Sequence, residues 1–126
     1  MDNLRITRTK CTLGINFDAD TGIFEISGES YPENAFDFFK PLFKWVEDYL
    51  QNPGEAIVLN IHITYLNSSS TRCTLDFLSL LEEYYKKERN IRVNWYHEID
   101  DDILETAEYM ASNVEIPIHT IPIEST

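Results

Sequence analysis

Apolar and polar residues alternate from Thr12 to Phe17, with Leu13, Ile15 and Phe17 opposing Gly14 and Asn16. A period of two predicts a strand with one buried face. Asp18-Ala19-Asp20-Thr21-Gly22 has turn composition, and Ile23 to Ser27 reads as the returning strand of a hairpin. Past Pro32 the period changes. Ala35, Phe38, Phe39, Leu42, Val46, Tyr49 and Leu50 fall on one helical stripe, opposite Asp37, Lys40, Lys44, Glu47 and Asp48. Phe36, Phe43 and Trp45 flank the stripe; they either cover the edge of the hairpin or stay exposed as partner surface. Pro41 cannot donate its backbone bond and is expected to kink this helix, which Gln51-Asn52-Pro53-Gly54 ends.

Ala56 to Leu66 is the clearest strand, with Ile57, Leu59, Ile61, Ile63 and Tyr65 on one face and Asn60, His62 and Thr64 on the other. A helix is predicted from about Thr71 to Glu88, its inner face carrying Phe77, Leu78, Leu81, Tyr84 and Tyr85. Ile91 to His97 is again strand-like, and Asp100-Asp101-Asp102 opens a third helix, because acidic residues complement the positive end of a helix dipole. Ile116 to Ile123 reads as a last strand, confined to an edge by Pro117 and Pro122.

The order β-β-α-β-α-β-α-β predicts an α/β domain over residues 1–126, with parallel crossovers joined to an antiparallel hairpin in one mixed sheet. The polar positions Asn16, Asn60, His62, Thr64, Arg92 and Asn94 imply that one sheet face is free of helices. The architecture is therefore two-layer, with helices mainly on one face.

Charge narrows the functional classes. With 22 acidic against 10 basic residues the formal net charge is −12, which disfavours nucleic acid and anionic membrane surfaces as partners. No segment has the apolar length of a signal peptide or membrane span, so a cytoplasmic protein is expected. Cys11 and Cys73 lie far apart among apolar neighbours and read as reduced, partly buried thiols. His62, His97 and His119 stand apart without metal-ligand spacing, the four glycines form no phosphate loop, and no serine or cysteine sits in a nucleophile motif. The sequence thus predicts no catalysis, no cofactor and no metal.

Candidate chemistry concentrates in Tyr65-Leu66-Asn67-Ser68-Ser69-Ser70-Thr71, where the long strand gives way to a helix. Hydroxyl oxygens there sit beside unpaired N–H groups at the positive end of a helix. That setting suits a helix cap, worth about 1 kcal/mol. It also suits a covalent phosphate, because one cap needs one oxygen and several are present. Local chemistry by itself favours the cap and leaves the phosphate as the second use. A small-molecule site on the polar sheet face, around Asn60, His62 and Asn94, is a further option.

Three blocks carry a resemblance. Gly28-Glu29-Ser30-Tyr31-Pro32-Glu33-Asn34, then Tyr65-Leu66-Asn67-Ser68-Ser69-Ser70, then Trp95-Tyr96 followed by Asp100-Asp101-Asp102 resemble the SiaC-type bacterial regulatory phosphoproteins, in matching order over nearly the whole chain. The resemblance implies a fold similar to the STAS domains of anti-sigma-factor antagonists. It also implies a non-catalytic switch. In members of that family a Ser/Thr protein kinase phosphorylates the hydroxyl after the Asn of the YLN block, and a PP2C-type phosphatase removes the phosphate. The resemblance thus implies that the unphosphorylated form binds and activates a diguanylate cyclase of the GGDEF type, raising cyclic di-GMP and favouring aggregation or biofilm growth. Carried onto this chain, the acceptor is Ser68, with Ser69 a competitor because serine replaces the more familiar threonine. Arg72 is then placed to counter the phosphate charge, Asn67 to shape the turn, and Tyr65, Ser69, Ser70, Glu29, Ser30 and Tyr31 to frame a partner surface. An anti-sigma-antagonist-type partner-switching module is the alternative output.

Overall fold

The computed structural model describes residues 1–124. Three antiparallel strands open the chain: β1 (Leu4–Ile6), β2 (Gly14–Phe17) and β3 (Ile23–Ser30). Three strand–helix–strand units follow, through α1 (Ala35–Gln51), β4 (Ala56–Leu66), α2 (Ser68–Tyr85), β5 (Asn90–Glu98), α3 (Ile103–Asn113) and β6 (Ile118–Ile123). The sheet order is β1-β2-β3-β4-β5-β6, with β3 through β6 parallel. Right-handed crossovers that advance in one direction place every helix on the same side. The helices and the inward strand residues accordingly share one core. The mixed, two-layer arrangement matches the expectation, with β1 as an added edge strand.

The β2–β3 turn shows how sequence sets local structure. The Asp18 carboxylate accepts from the backbone of Asp20 and Thr21 (2.9 and 3.2 Å), and Gly22 takes φ +72° while its N–H reaches Asp18 O at 3.0 Å. That left-handed conformation favours glycine over any residue with a Cβ. The Gly22 carbonyl then accepts from Val58 N at 2.9 Å, tying the turn to β4.

Phe17 is the centre of an aromatic cluster. Its ring lies 5.0 Å from Phe24, 5.5 Å from Trp45 and 5.7 Å from Phe77, and Trp45 stacks on Tyr49 at 5.4 Å. Of the two readings for Trp45, covering the hairpin edge is the one the structure shows. It is buried against the hairpin, and its Nε1 donates to Asp2 O at 2.8 Å, because the N-terminal strand widens the sheet under α1. Phe43 is half-buried, whereas Phe36 is 58% exposed. Helix α1 continues through Pro41, and Asn34 caps it by accepting from Asp37 N.

Two boundaries shift. Helix α2 begins at Ser68 rather than Thr71, so the hydroxyl run is its first turn. Helix α3 begins at Ile103, with Asp101 accepting from Ile103 N at 3.2 Å, so the aspartate triplet precedes the helix. The last strand lies at the sheet edge, as its prolines require.

One irregularity changes which side chains face outward. Gly28 pairs with Ile63 but Glu29 pairs with Tyr65, so β4 carries one extra residue, Thr64, whose hydroxyl donates to Gly28 O at 3.4 Å. Strand side chains alternate with period two, so one inserted residue exchanges the faces beyond it. Leu66 therefore enters the core, and Tyr65, expected beside Ile63, is 50% exposed.

Candidate functional site

The bulge delivers β4 directly into the Asn67 turn. Asn67 has extended backbone (φ −74°, ψ 175°) and uses almost every group it owns. Its Oδ1 accepts from Ser70 N at 2.9 Å and from the Ser69 hydroxyl at 3.4 Å. Its Nδ2 donates to Pro32 O at 3.4 Å, and its N–H donates to Ser30 O at 2.9 Å. Its carbonyl accepts from both Thr71 N (2.8 Å) and the Thr71 hydroxyl (2.9 Å). One residue thus caps α2 and ties it to the end of β3.

A second tie lies underneath. The hydroxyls of Ser30 and Ser70 meet at 2.7 Å with no exposed surface on either residue, and Thr74 Oγ1 donates to Ser70 O at 2.8 Å. Ser30 and Ser70 were expected to face a partner. They cannot, because each is sealed between β3 and α2, where an unpaired hydroxyl would be costly. Their role is to fix the turn.

The remaining hydroxyls now separate. Thr71 spends its hydroxyl on the Asn67 carbonyl, and Ser69 shares the Asn67 amide. Ser68 is exposed, and among the described residues its hydroxyl has no hydrogen-bond partner. It occupies the first helical position, where backbone N–H groups remain unpaired and no acidic side chain sits in the turn. Arg72, one turn along on the same face, is largely exposed and pairs with Asp76 at 3.4 Å. Glu29 lies beside Tyr65 in the sheet, and the Tyr31 and Tyr65 rings meet edge-on at 6.2 Å, both substantially exposed. The structure therefore gathers Glu29, Tyr31, Tyr65, Asn67, Ser68 and Ser69 at one corner, with Arg72 beside them.

The thiols stand apart from this chemistry. Cys73 is buried, and burial raises its thiol above the ordinary range, with Asp76 adding to the shift against Arg72. Cys11 is half-buried. Among the described residues no cluster of His, Cys, Asp and Glu could hold a metal ion, and no helix is long and apolar enough to cross a membrane.

Replacing Asn67 with Ala should lower stability by about 1–2 kcal/mol, since the cap and the tie to Pro32 both go. Ser69→Ala should stay within about 0.5 kcal/mol. Urea unfolding of the two variants side by side measures the difference.

Sequence reasoning did not find Arg8 and Glu25. Both line a groove of about 670 Å³ on the open sheet face, together with Asn16, Ser27, Asn60 and His62. Arg8 lies in an irregular segment, where periodicity carries no signal.

Comparison with known proteins places this geometry in a family. An uncharacterized protein of Pseudomonas aeruginosa strain UCBPP-PA14 is 31% identical over 118 residues, covering 93% of this chain and 94% of its own. The structure of SiaC of Pseudomonas aeruginosa superposes with a TM-score of 0.91 at 30% identity, covering 98% of this chain and 100% of that one. A crystal structure of the diguanylate cyclase SiaD in complex with its activator SiaC, also from Pseudomonas aeruginosa, matches with a TM-score of 0.89 at 30% identity, covering 95% of this chain and 99% of that one. Residues 6–123 match the SiaC family regulatory phosphoprotein description, from the end of β1 to the end of β6. The chain belongs to the SiaC family of regulatory phosphoproteins.

Proposed function

We propose that this protein is a cytoplasmic phosphorylation-controlled switch that acts by binding, and that its unphosphorylated form binds and activates a diguanylate cyclase. Ser68 is the regulated residue. A Ser/Thr kinase phosphorylates it, a PP2C-type phosphatase resets it, and phosphorylation releases the cyclase. The observation that carries this reading is the unshared, exposed hydroxyl of Ser68 at a helix start, in a turn whose other hydroxyls are sealed or already bonded. The SiaC–SiaD complex supplies the partner class, since the SiaC seen there is called the activator of a cyclase and shares this fold. The docking corner in this reading is Tyr31, Tyr65 and Glu29 at the end of the β3–β4 pair together with Ser69, and Asn67 holds the turn's shape. Arg72 can exchange Asp76 for a phosphate four residues away on the same face.

The test is phosphosite mapping by mass spectrometry on protein from its native host, joined to identification of co-purifying partners. A phosphatase-sensitive phosphate on Ser68, absent from Ser68→Ala, together with a GGDEF cyclase captured by Ser68→Ala, is the expected result. Phosphate on Ser69 alone, or capture of a sigma-factor regulator in place of a cyclase, overturns the respective half.

A further inference from the structure

The open face of the sheet carries a second set of polar groups, in a groove that Glu29, Tyr31, Tyr65 and Ser68 do not line. Strand pairing aligns Arg5, Asn16, Glu25, Asn60, Asn94 and His119 in one row across all six strands. The next row begins Gly14, Ser27, His62. In a chain of net charge −12, three of the ten basic residues, Arg5, Arg8 and Arg92, lie on this face.

Arg8 is held in a notch made for it. A Cβ on Gly14 would stand 3.1 Å from Arg8 Cβ, and one on Gly28 would stand 3.0 Å from both Cδ and Nε. Gly28 has φ +102°, so both its backbone and its bare surface suit glycine. The two glycines let the arginine lie flat along the sheet. Among the described residues its guanidinium makes no ion pair or hydrogen bond, although it has five N–H donors to offer.

Across the groove the polar groups present donors as well. Arg92 Nε donates to Asn94 Oδ1 at 2.8 Å, and Asn94 Nδ2 donates to Asn60 Oδ1 at 3.0 Å. Asn60 has its acceptor occupied and its Nδ2 donors left over. The Nε2 of His62, in the wall of the same groove, has no protein partner and almost no accessible surface. A groove of about 670 Å³ is in the size range of small-molecule sites.

We infer that this groove binds a small oxyanion, a carboxylate or phosphate ester, with Arg8 as its principal ion partner and Asn60 and Ser27 as its hydrogen-bonding wall. Glu25 lies on the same floor and favours a ligand that also carries a donor, such as a hydroxyl. A planar guanidinium fits either oxyanion with two parallel bonds. The inference does not depend on Ser68 or on the cyclase.

The test is a titration of the ¹⁵N-labelled full chain with citrate and, separately, with glucose 6-phosphate, followed by amide chemical shifts. Saturable shifts at Gly14, Ser27, Gly28, Asn60 and His62 are expected with at least one probe, and whichever saturates first names the oxyanion. Arg8→Gln should weaken that binding at least about tenfold, and Ser68→Ala should leave it unchanged. Arg8 is exposed, so its replacement leaves the core intact; Asn60→Ala, with a smaller loss, supplies a second readout. Shifts that stay linear to about 20 mM for both probes, or equal binding by wild type and Arg8→Gln, overturn the assignment.

Discussion

Phosphoserine at position 68 is expected to weaken cyclase binding by about a hundredfold, or about 2.8 kcal/mol. A neutral, exposed hydroxyl is cheap to desolvate at an interface, whereas a phosphate adds about −1.5 to −2 charge there. Arg72 offsets part of that charge and, being exposed, does so weakly. Calorimetric titration of the cyclase with kinase-treated protein, untreated protein and Ser68→Ala measures the effect. Untreated protein and Ser68→Ala should bind alike. Ser68→Asp should fall between them and the phosphorylated form, because a carboxylate has fewer oxygens and less charge than a phosphate. Equal affinity for phosphorylated and untreated protein would remove Ser68 from the interface.

Phe17→Ala carries the largest stability effect, a loss of about 3–5 kcal/mol in urea unfolding with unchanged slope. Phe17 has no exposed surface and touches rings from β3, α1 and α2, so its removal leaves a cavity where both layers meet. Phe36→Ala is the matching control. That ring is 58% exposed, and its loss should change stability by no more than about 0.5 kcal/mol. Because both residues are phenylalanines, the contrast isolates burial from side-chain chemistry. A large loss for Phe36 would mean that α1 is rotated about its axis.

The alternation of Ile57, Leu59, Ile61 and Ile63, and the helical stripe through Phe39, Leu42, Val46 and Tyr49, were legible in the sequence because burial on one face leaves a period. What escaped had no period to leave. Leu4-Arg5-Ile6 is too short to alternate convincingly, yet its pairing with β2 widens the sheet and buries Trp45. The Thr64 bulge is a register event between two strands, so Tyr65 read as inward when it faces out. The hydroxyl run resembled a loop because serine favours turns, but Asn67 caps early enough to make it the first turn of α2. Ser30 and Ser70 are forty residues apart in sequence, and only the fold makes them partners. Arg8 is recognisable only from the two glycines beneath it, which belong to different strands.

The sheet order, in which every strand neighbours the next in the chain, has a consequence for how the protein is made. No pairing waits for a distant segment, so the largest loop closed at any step is a single strand–helix–strand unit. The central unit of β3, α1 and β4 is able to form before the C-terminal third has been synthesised, and each later unit adds to an edge already in place. The bonds that tie the Asn67 turn to Ser30 and Pro32 lie within residues 30–67, so they need no strand beyond β4 in order to form.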